Sequence, residues 1–259
     1  MNNDIEAQYE AIRQEYRKQS TAWGRAPIDA HLQWVVAQLD LDPQFRVLDV
    51  AAGSGLFSRA VAPHVGSVIA TDLTPEMLEQ ARARARETQL TNITFQQAAA
   101  ETLPLPDASI DLVISRYAVH HFLSPIAVFK EAYRVVRPGG RAAFVDMVAD
   151  ENPAIRDNQN RLERIVDETH TEVLAPTRLT GELVSAGFVL EKFLSREVSM
   201  LFENWQSFLA QDAPSRLAVR RALEEELAGG PPTGLRPFIH ETHLYFTHTW
   251  GLAIGRKAP

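Results

Sequence analysis

The run Val47-Leu48-Asp49-Val50-Ala51-Ala52-Gly53-Ser54-Gly55-Leu56-Phe57-Ser58 constrains the fold of this chain more than any other segment. A short apolar stretch ends in a carboxylate, crosses a turn of small residues and enters a helical pattern. That order reads as strand, tight turn and helix start. Small residues in such a turn let the backbone come close to a ligand, and the N–H groups of the helix start point towards it. A second apolar run, Val68-Ile69-Ala70-Thr71, ends in Asp72. An acid at a second strand end accepts hydrogen bonds from the two hydroxyls of a ribose. The pair predicts a site for a nucleoside-containing cofactor. The glycine register Gly53-x-Gly55-x-x-Ser58 does not by itself say which one.

The text further along decides between the possibilities. It reads Ala100-Glu101-Thr102-Leu103-Pro104-Leu105-Pro106-Asp107, then Ile110-Asp111-Leu112-Val113-Ile114-Ser115-Arg116-Tyr117-Ala118-Val119-His120-His121-Phe122. Glu131-Ala132-Tyr133-Arg134-Val135-Val136-Arg137-Pro138-Gly139-Gly140 follows. With these motifs in this order, residues 45–148 resemble the class I S-adenosylmethionine-dependent methyltransferases. The group most similar is the ubiquinone/menaquinone-biosynthesis-type small-molecule methyltransferases.

The resemblance implies S-adenosyl-L-methionine as cofactor and a role for each motif residue. Asp49 is expected at the methionine amino group, and the backbone of Ala51, Gly53 and Gly55 along the methionine and ribose. Asp72 is expected on the ribose hydroxyls, Leu73 and Met77 on the adenine faces. The Ala100 N–H and Glu101 are expected at the adenine edge, with Arg116 beside the cofactor. Two positions depart from the family pattern: Ala51 where many members have glycine, and Ala99 where many have an aspartate bonded to the adenine amino group.

The resemblance and the element pattern together predict a doubly wound, mostly parallel seven-stranded α/β sheet with an antiparallel last strand, the Rossmann-like methyltransferase fold. Strands are expected at 46–50, 67–71, 93–96, 110–115, 141–147, 188–198 and 242–256. Helices are expected at 4–19, 28–39, from 74–75 to about 88, from 124–125 to Pro138, over 180–186, and over 204–228 in two pieces broken near Pro214. Thr74 and Ser124, each before a proline, read as helix caps. One domain over 1–259 is expected: an N-terminal helical cap (1–40), a cofactor-binding core (45–148) and a helical insertion (200–240) over the acceptor.

Composition limits what else the chain does. With 259 residues and 45% hydrophobic content it has material for one α/β core plus a cap. The absence of cysteine excludes disulfides and thiolate metal sites. A formal net charge of −7 disfavours a nucleic acid partner. No stretch has the length and apolarity of a membrane span, and the first residues lack the build of a signal peptide. A cytoplasmic enzyme acting on a small-molecule acceptor, without nucleic acid or membrane, is the expectation; oligomeric state is not legible.

His120 and His121 are the candidate catalytic bases. Neighbouring helical residues diverge by about 100°, so at most one is expected to face the cofactor. A structural imidazole bonded to the backbone is the competing reading for both. His240-x-x-His243, read as one extended segment, sends its rings to opposite faces, and no metal site is expected. Tyr9, Tyr16 and Trp23, and Phe202, Trp205 and Phe208 in the insertion, are the candidate acceptor contacts. Whether carbon, oxygen or nitrogen takes the methyl group stays open. Two rival readings are a cofactor-binding pseudo-methyltransferase and a nicotinamide oxidoreductase.

Overall fold

The computed structural model describes residues 9–11, 13, 14, 30–207 and 213–259. Ile5, Ile12, Tyr16, Trp23, Ile28 and Phe208 lie outside them, and with them most of the expected N-terminal helix. The described chain runs α1 (Ala30–Val36), β1 (Arg46–Val50), α2 (Leu56–Val61), β2 (Ser67–Asp72), α3 (Pro75–Glu87), β3 (Ile93–Gln97) and β4 (Ile110–Arg116). Next come α4 (Pro125–Val135), β5 (Val136–Val148), α5 (Pro153–Val166), α6 (Pro176–Ser185), β6 (Val189–Leu201) and α7 (Phe202–Ser207). The chain ends with α8 (Ala213–Leu227), β7 (Phe238–His240) and β8 (His243–Arg256).

The sheet order is β3-β2-β1-β4-β5-β8-β6. The first five strands pair in parallel, and β8 runs antiparallel between β5 and β6. One strand more than expected arises because Phe238–His240 folds back on the start of β8. Alternation along the strands separates two apolar layers. Val47, Ala143, Val145, Leu252 and Ile254 pack with Leu32, Phe57, Val61 and Ala85 of α1, α2 and α3. Leu48, Val50, Val113, Phe144 and Ala253 pack with Val128, Phe129, Leu179 and Leu183 of α4 and α6. A third cluster joins α5, α7, α8 and β8 through Leu162, Phe202, Trp205, Leu223 and Phe246.

Several boundaries differ from the sequence reading for local reasons. Helix α4 ends at Val135, before Pro138, because the chain already pairs with β4 at Ile110↔Val136. The register then jumps to Leu112↔Arg141, so Pro138-Gly139-Gly140 forms an irregularity inside β5. A Cβ on Gly140 would lie 2.8 Å from the Asp111 carbonyl oxygen, which excludes larger residues there. Thr74 and Ser124 occupy cap positions, but neither side chain caps its helix. Helix α6 begins at Pro176, earlier than position 180, since proline suits a first helical turn. No helix among the described residues is long and apolar enough to cross a membrane.

Candidate functional site

Strands β1 and β4 are neighbours, yet the chain leaves β1 towards β2 on one side and leaves β4 towards β5 on the other. At such a reversal the connections diverge and open a crevice beyond the carboxyl ends of the strands, where ligands of open α/β sheets bind. The predicted residues at the ends of β1, β2 and β4 converge there.

The β1 lip is built from the small-residue turn. Ala51, Gly53 and Gly55 all have positive φ, at 54°, 53° and 72°. Gly55 is tightly constrained, since a Cβ there would lie 2.9 Å from the Cβ of Ala81 on α3. Ala51 adopts the left-handed region despite its methyl group, a conformation that costs an L-residue roughly 1–2 kcal/mol. The turn is tied to β2 by Ala52 N–H donating to the Thr71 carbonyl at 2.8 Å.

Asp72 completes this tie. Its Oδ2 accepts the Gly53 N–H at 2.8 Å, and its Oδ1 accepts the Thr74 N–H at 2.8 Å. Burial raises its pKa, while the Thr74 and Gly53 N–H groups oppose the rise. Each oxygen keeps acceptor capacity beyond these bonds, as two vicinal hydroxyls require. Asp49 is buried, and its Oδ2 accepts Ser58 Oγ–H at 2.6 Å. Burial pushes its carboxyl up to about 7, with the Ser58 bonds opposing. A buried carboxyl in that state gains most from a cationic ligand group, so it fits the methionine ammonium.

Leu73 is half-buried and Met77 is buried, with the Met77 Cε near the place a Gly53 Cβ would occupy. Ala100 and Glu101 lie in the loop after β3, both half-buried. Glu101 accepts a 2.7 Å hydrogen bond from the Tyr9 hydroxyl, which ties Tyr9 to the loop after β3.

The β4 lip carries a different set. The Arg116 guanidinium lies 5.4 Å from the Trp250 ring centroid. Tyr117, at φ 56°, stacks on Trp250 at 5.1 Å and meets the His120 ring edge-on at 4.7 Å. His120 and His121 sit in a short 3-10 turn, and both are buried. This corrects the expectation that they diverge along a helix, for their ring centroids are 4.1 Å apart. His120 Nδ1 bonds Asp146 Oδ1 at 2.8 Å, whereas His121 Nδ1 lies 3.3 Å from the Thr169 carbonyl.

The two rings differ electrostatically. Burial works against a charged His120, yet Asp146, Glu163 and Asp167 outweigh it and raise its pKa. Burial and the neighbouring His120 push His121 down to about 4. His170, close to both, is lowered chiefly by burial.

Other candidates lie elsewhere. His240 and His243 face each other as cross-strand partners of a hairpin, not along one strand. Among the described residues no group of three or more possible ligands gathers to hold a metal. Phe202 and Trp205 are buried in the third cluster and are not exposed acceptor contacts. Ser58, Tyr117, Asp146 and Trp250 were not singled out from the sequence. Asp146 had a usable signal: like Asp49 and Asp72, it is an acid in an apolar strand near its carboxyl end.

A family model described as a methyltransferase domain matches residues 48–144, which include the β1 lip and residues 116–121 of the β4 lip. The chain is 31% identical over 144 residues to YafE of Escherichia coli, covering 56% of this chain and 70% of that one. The chain belongs to the class I S-adenosylmethionine-dependent methyltransferases. S-adenosylmethionine is the cofactor that membership carries. Among methyltransferases it is 41% identical over 127 residues to the uncharacterized methyltransferase YcgJ of Bacillus subtilis. That match covers 49% of this chain and spans only 50% of YcgJ. The crystal structure of YcgJ superposes with a TM-score of 0.80 at 26% identity, over 88% of this chain and 98% of that one. An arsenite methyltransferase of Halobacterium salinarum is 38% identical over 110 residues, which cover 41% of this chain and 28% of that one.

Proposed function

We propose that this methyltransferase moves a methyl group from S-adenosylmethionine to a small organic acceptor by in-line displacement. The bound cofactor supplies a methyl carbon already activated by the positive sulfur. The chain's own task is then to align, to desolvate and to manage charge. Asp49, steadied by Ser58, receives the ammonium group, and the backbone of Ala51, Gly53 and Gly55 follows the chain to the ribose. Asp72 takes the ribose hydroxyls, while Leu73 and Met77 flank the adenine. Ala100 N–H and Glu101 meet the adenine edge, and Arg116 closes the site from β4. With Ala99 in place of an aspartate, adenine recognition rests on backbone groups, at a cost of about 1 kcal/mol.

The observation that carries the small-acceptor reading is the wall opposite the glycine turn. The Tyr117 ring lies 5.1 Å from that of Trp250, stacked on it, and 4.7 Å from that of His120, edge-on. Among the described residues the buried Trp250 indole N–H has no hydrogen-bond partner. A buried donor of that kind matches an acceptor molecule that carries an oxygen. Arsenite itself suits this site poorly, since a soft arsenic centre prefers thiolates and the chain has no cysteine. The resemblance to quinone-biosynthesis-type enzymes points the same way, to an organic molecule.

Incubation with S-adenosylmethionine and either the small-molecule or the macromolecular fraction of a cell extract tests the reading. S-adenosylhomocysteine should form with the small-molecule fraction. Formation with the macromolecular fraction alone would contradict it, and a cofactor that binds but stays intact with both would favour a non-methylating role.

A further inference from the structure

We propose that His120, held by Asp146, is the base that takes a proton from the acceptor, and that the acceptor is a weakly acidic hydroxyl or carbon acid. This rests on the methyl-transfer reading above and adds the chemical class of the acceptor to it.

Three observations carry the assignment. The first is position. Asp49 of β1 pairs with Ile114 of β4, so the glycine turn and residues 116–121 leave adjacent strand ends and line the same crevice. Tyr117 makes the bend in a left-handed conformation that is rare for an aromatic residue, and such outliers concentrate at functional sites.

The second is the hydrogen-bond arrangement. Asp146 is 2% exposed and stands at the end of β5, the next strand. Its Oδ1 meets His120 Nδ1 at 2.8 Å, and its Oδ2 accepts the His120 backbone N–H at 3.2 Å. The Met147 N–H adds a third bond, to Oδ1, at 2.7 Å. The ring is thereby held from the backbone outward, with the proton of its neutral form on Nδ1. Among the described residues Nε2 makes no hydrogen bond, which leaves it to accept. A base oriented by a buried carboxylate is the geometry that activates a nucleophile.

The third is the charge around the ring. Asp146 from β5, Glu163 from α5 and Asp167 after α5 all favour an imidazolium at His120, while His121 and His170 stay neutral beside it. One ring in the cluster is built to carry a proton. An acceptor already ionised in water needs no such ring.

The step balances without a further reagent. The acceptor's oxygen or carbon bonds to the methyl carbon, and the methyl–sulfur bond breaks with its electron pair going to sulfur. The acceptor's proton goes to His120 Nε2, leaving an imidazolium paired with Asp146.

The test uses the full chain and needs no acceptor. The pKa of His120 is followed by imidazole NMR in the complexes with S-adenosylmethionine and with S-adenosylhomocysteine. These ligands differ by one methyl group and one positive charge at the sulfur. A ring facing the methyl should titrate lower in the sulfonium complex by about one unit or more, the effect of a like charge within some 4–6 Å. His120→Gln assigns the resonance, and through-bond correlation in the wild type serves if that variant does not fold. Asp146→Asn should lower the His120 pKa in the free protein. Equal His120 pKa values in the two complexes would overturn the proposal, since a ring within reach of the transferring methyl must sense the sulfur charge. Calorimetry on the same samples separates the other failure: if neither ligand binds, the methyl-transfer reading falls, and this inference with it.

Discussion

Asp49 holds a proton near neutrality because burial raises its carboxyl to about 7. A cationic ammonium requires the ionised form, so cofactor binding should expel that proton. The association constant for S-adenosylmethionine should therefore rise between pH 5 and 7, by up to about tenfold per pH unit, and level off above. Calorimetry in buffers of different ionisation heats would show the released proton; a flat profile would mean that Asp49 does not meet the charge. Stability runs the other way. The folded pKa lies above the unfolded one, so the contribution is complete below about pH 4 and is lost as pH rises through about 7. Ser58→Ala removes an opposing bond and should move the binding profile to higher pH.

Asp72→Ala removes the acceptor of two backbone N–H groups together with the proposed ribose contacts. Each charge-assisted bond contributes roughly 1.5–3 kcal/mol, so cofactor affinity should fall at least about tenfold while unfolding stays cooperative. Asn, which keeps one acceptor, should be milder. Ala51→Gly should raise stability by up to about 1 kcal/mol, because relief of the left-handed conformation outweighs the added freedom of the unfolded chain. Denaturant midpoints decide this, and a loss of stability would show that the methyl group packs favourably.

At the scale of elements, the insertion behaves as a small core. Trp205 lies 4.9 Å from the Phe246 ring and is 4% exposed. Trp205→Ala should cost about 3–5 kcal/mol of stability as measured by denaturant unfolding. A change under about 1 kcal/mol would indicate an exposed side chain. From sequence this tryptophan is a candidate acceptor contact, because an aromatic between polar residues carries no mark of which neighbours will cover it. Helix α5 escaped sequence reading altogether for a related reason. Its buried side includes Gln159, Asn160 and Glu163, so the apolar period that announces a helix is broken. Two of those polar groups find distant partners: Asn160 Oδ1 lies 2.9 Å from His170 Nε2, and Glu163 Oε1 lies 3.1 Å from His248 Nε2. The parallel strands, by contrast, were legible within a few residues, since apolar runs cut by Gly, Pro and Asp have few other uses.

For the whole molecule, strand order matters more than any one contact. The β3-β2-β1-β4-β5 series places its reversal between β1 and β4, and β8 slots antiparallel beside β5. Position in that order brings residues as distant as Asp49, Arg116, Asp146 and Trp250 to one crevice, and their separation along the chain kept half of them out of the sequence reading. We propose a division into an N-terminal cap over 1–40, a cofactor-binding core over 45–148 and an insertion over 200–240, with residues 5–25 and 200–240 covering the acceptor. The central claim is that the crevice binds an adenosyl sulfonium cofactor. Melting curves with S-adenosylmethionine, S-adenosylhomocysteine and NAD, on the wild type and Asp72→Ala, test it most directly. Both adenosyl ligands at a hundredfold excess over their dissociation constants should stabilise the wild type by about 2.7 kcal/mol. Asp72→Ala should lose most of that gain, and NAD should leave both proteins unchanged. Stabilisation by NAD with none from either adenosyl ligand would contradict the account.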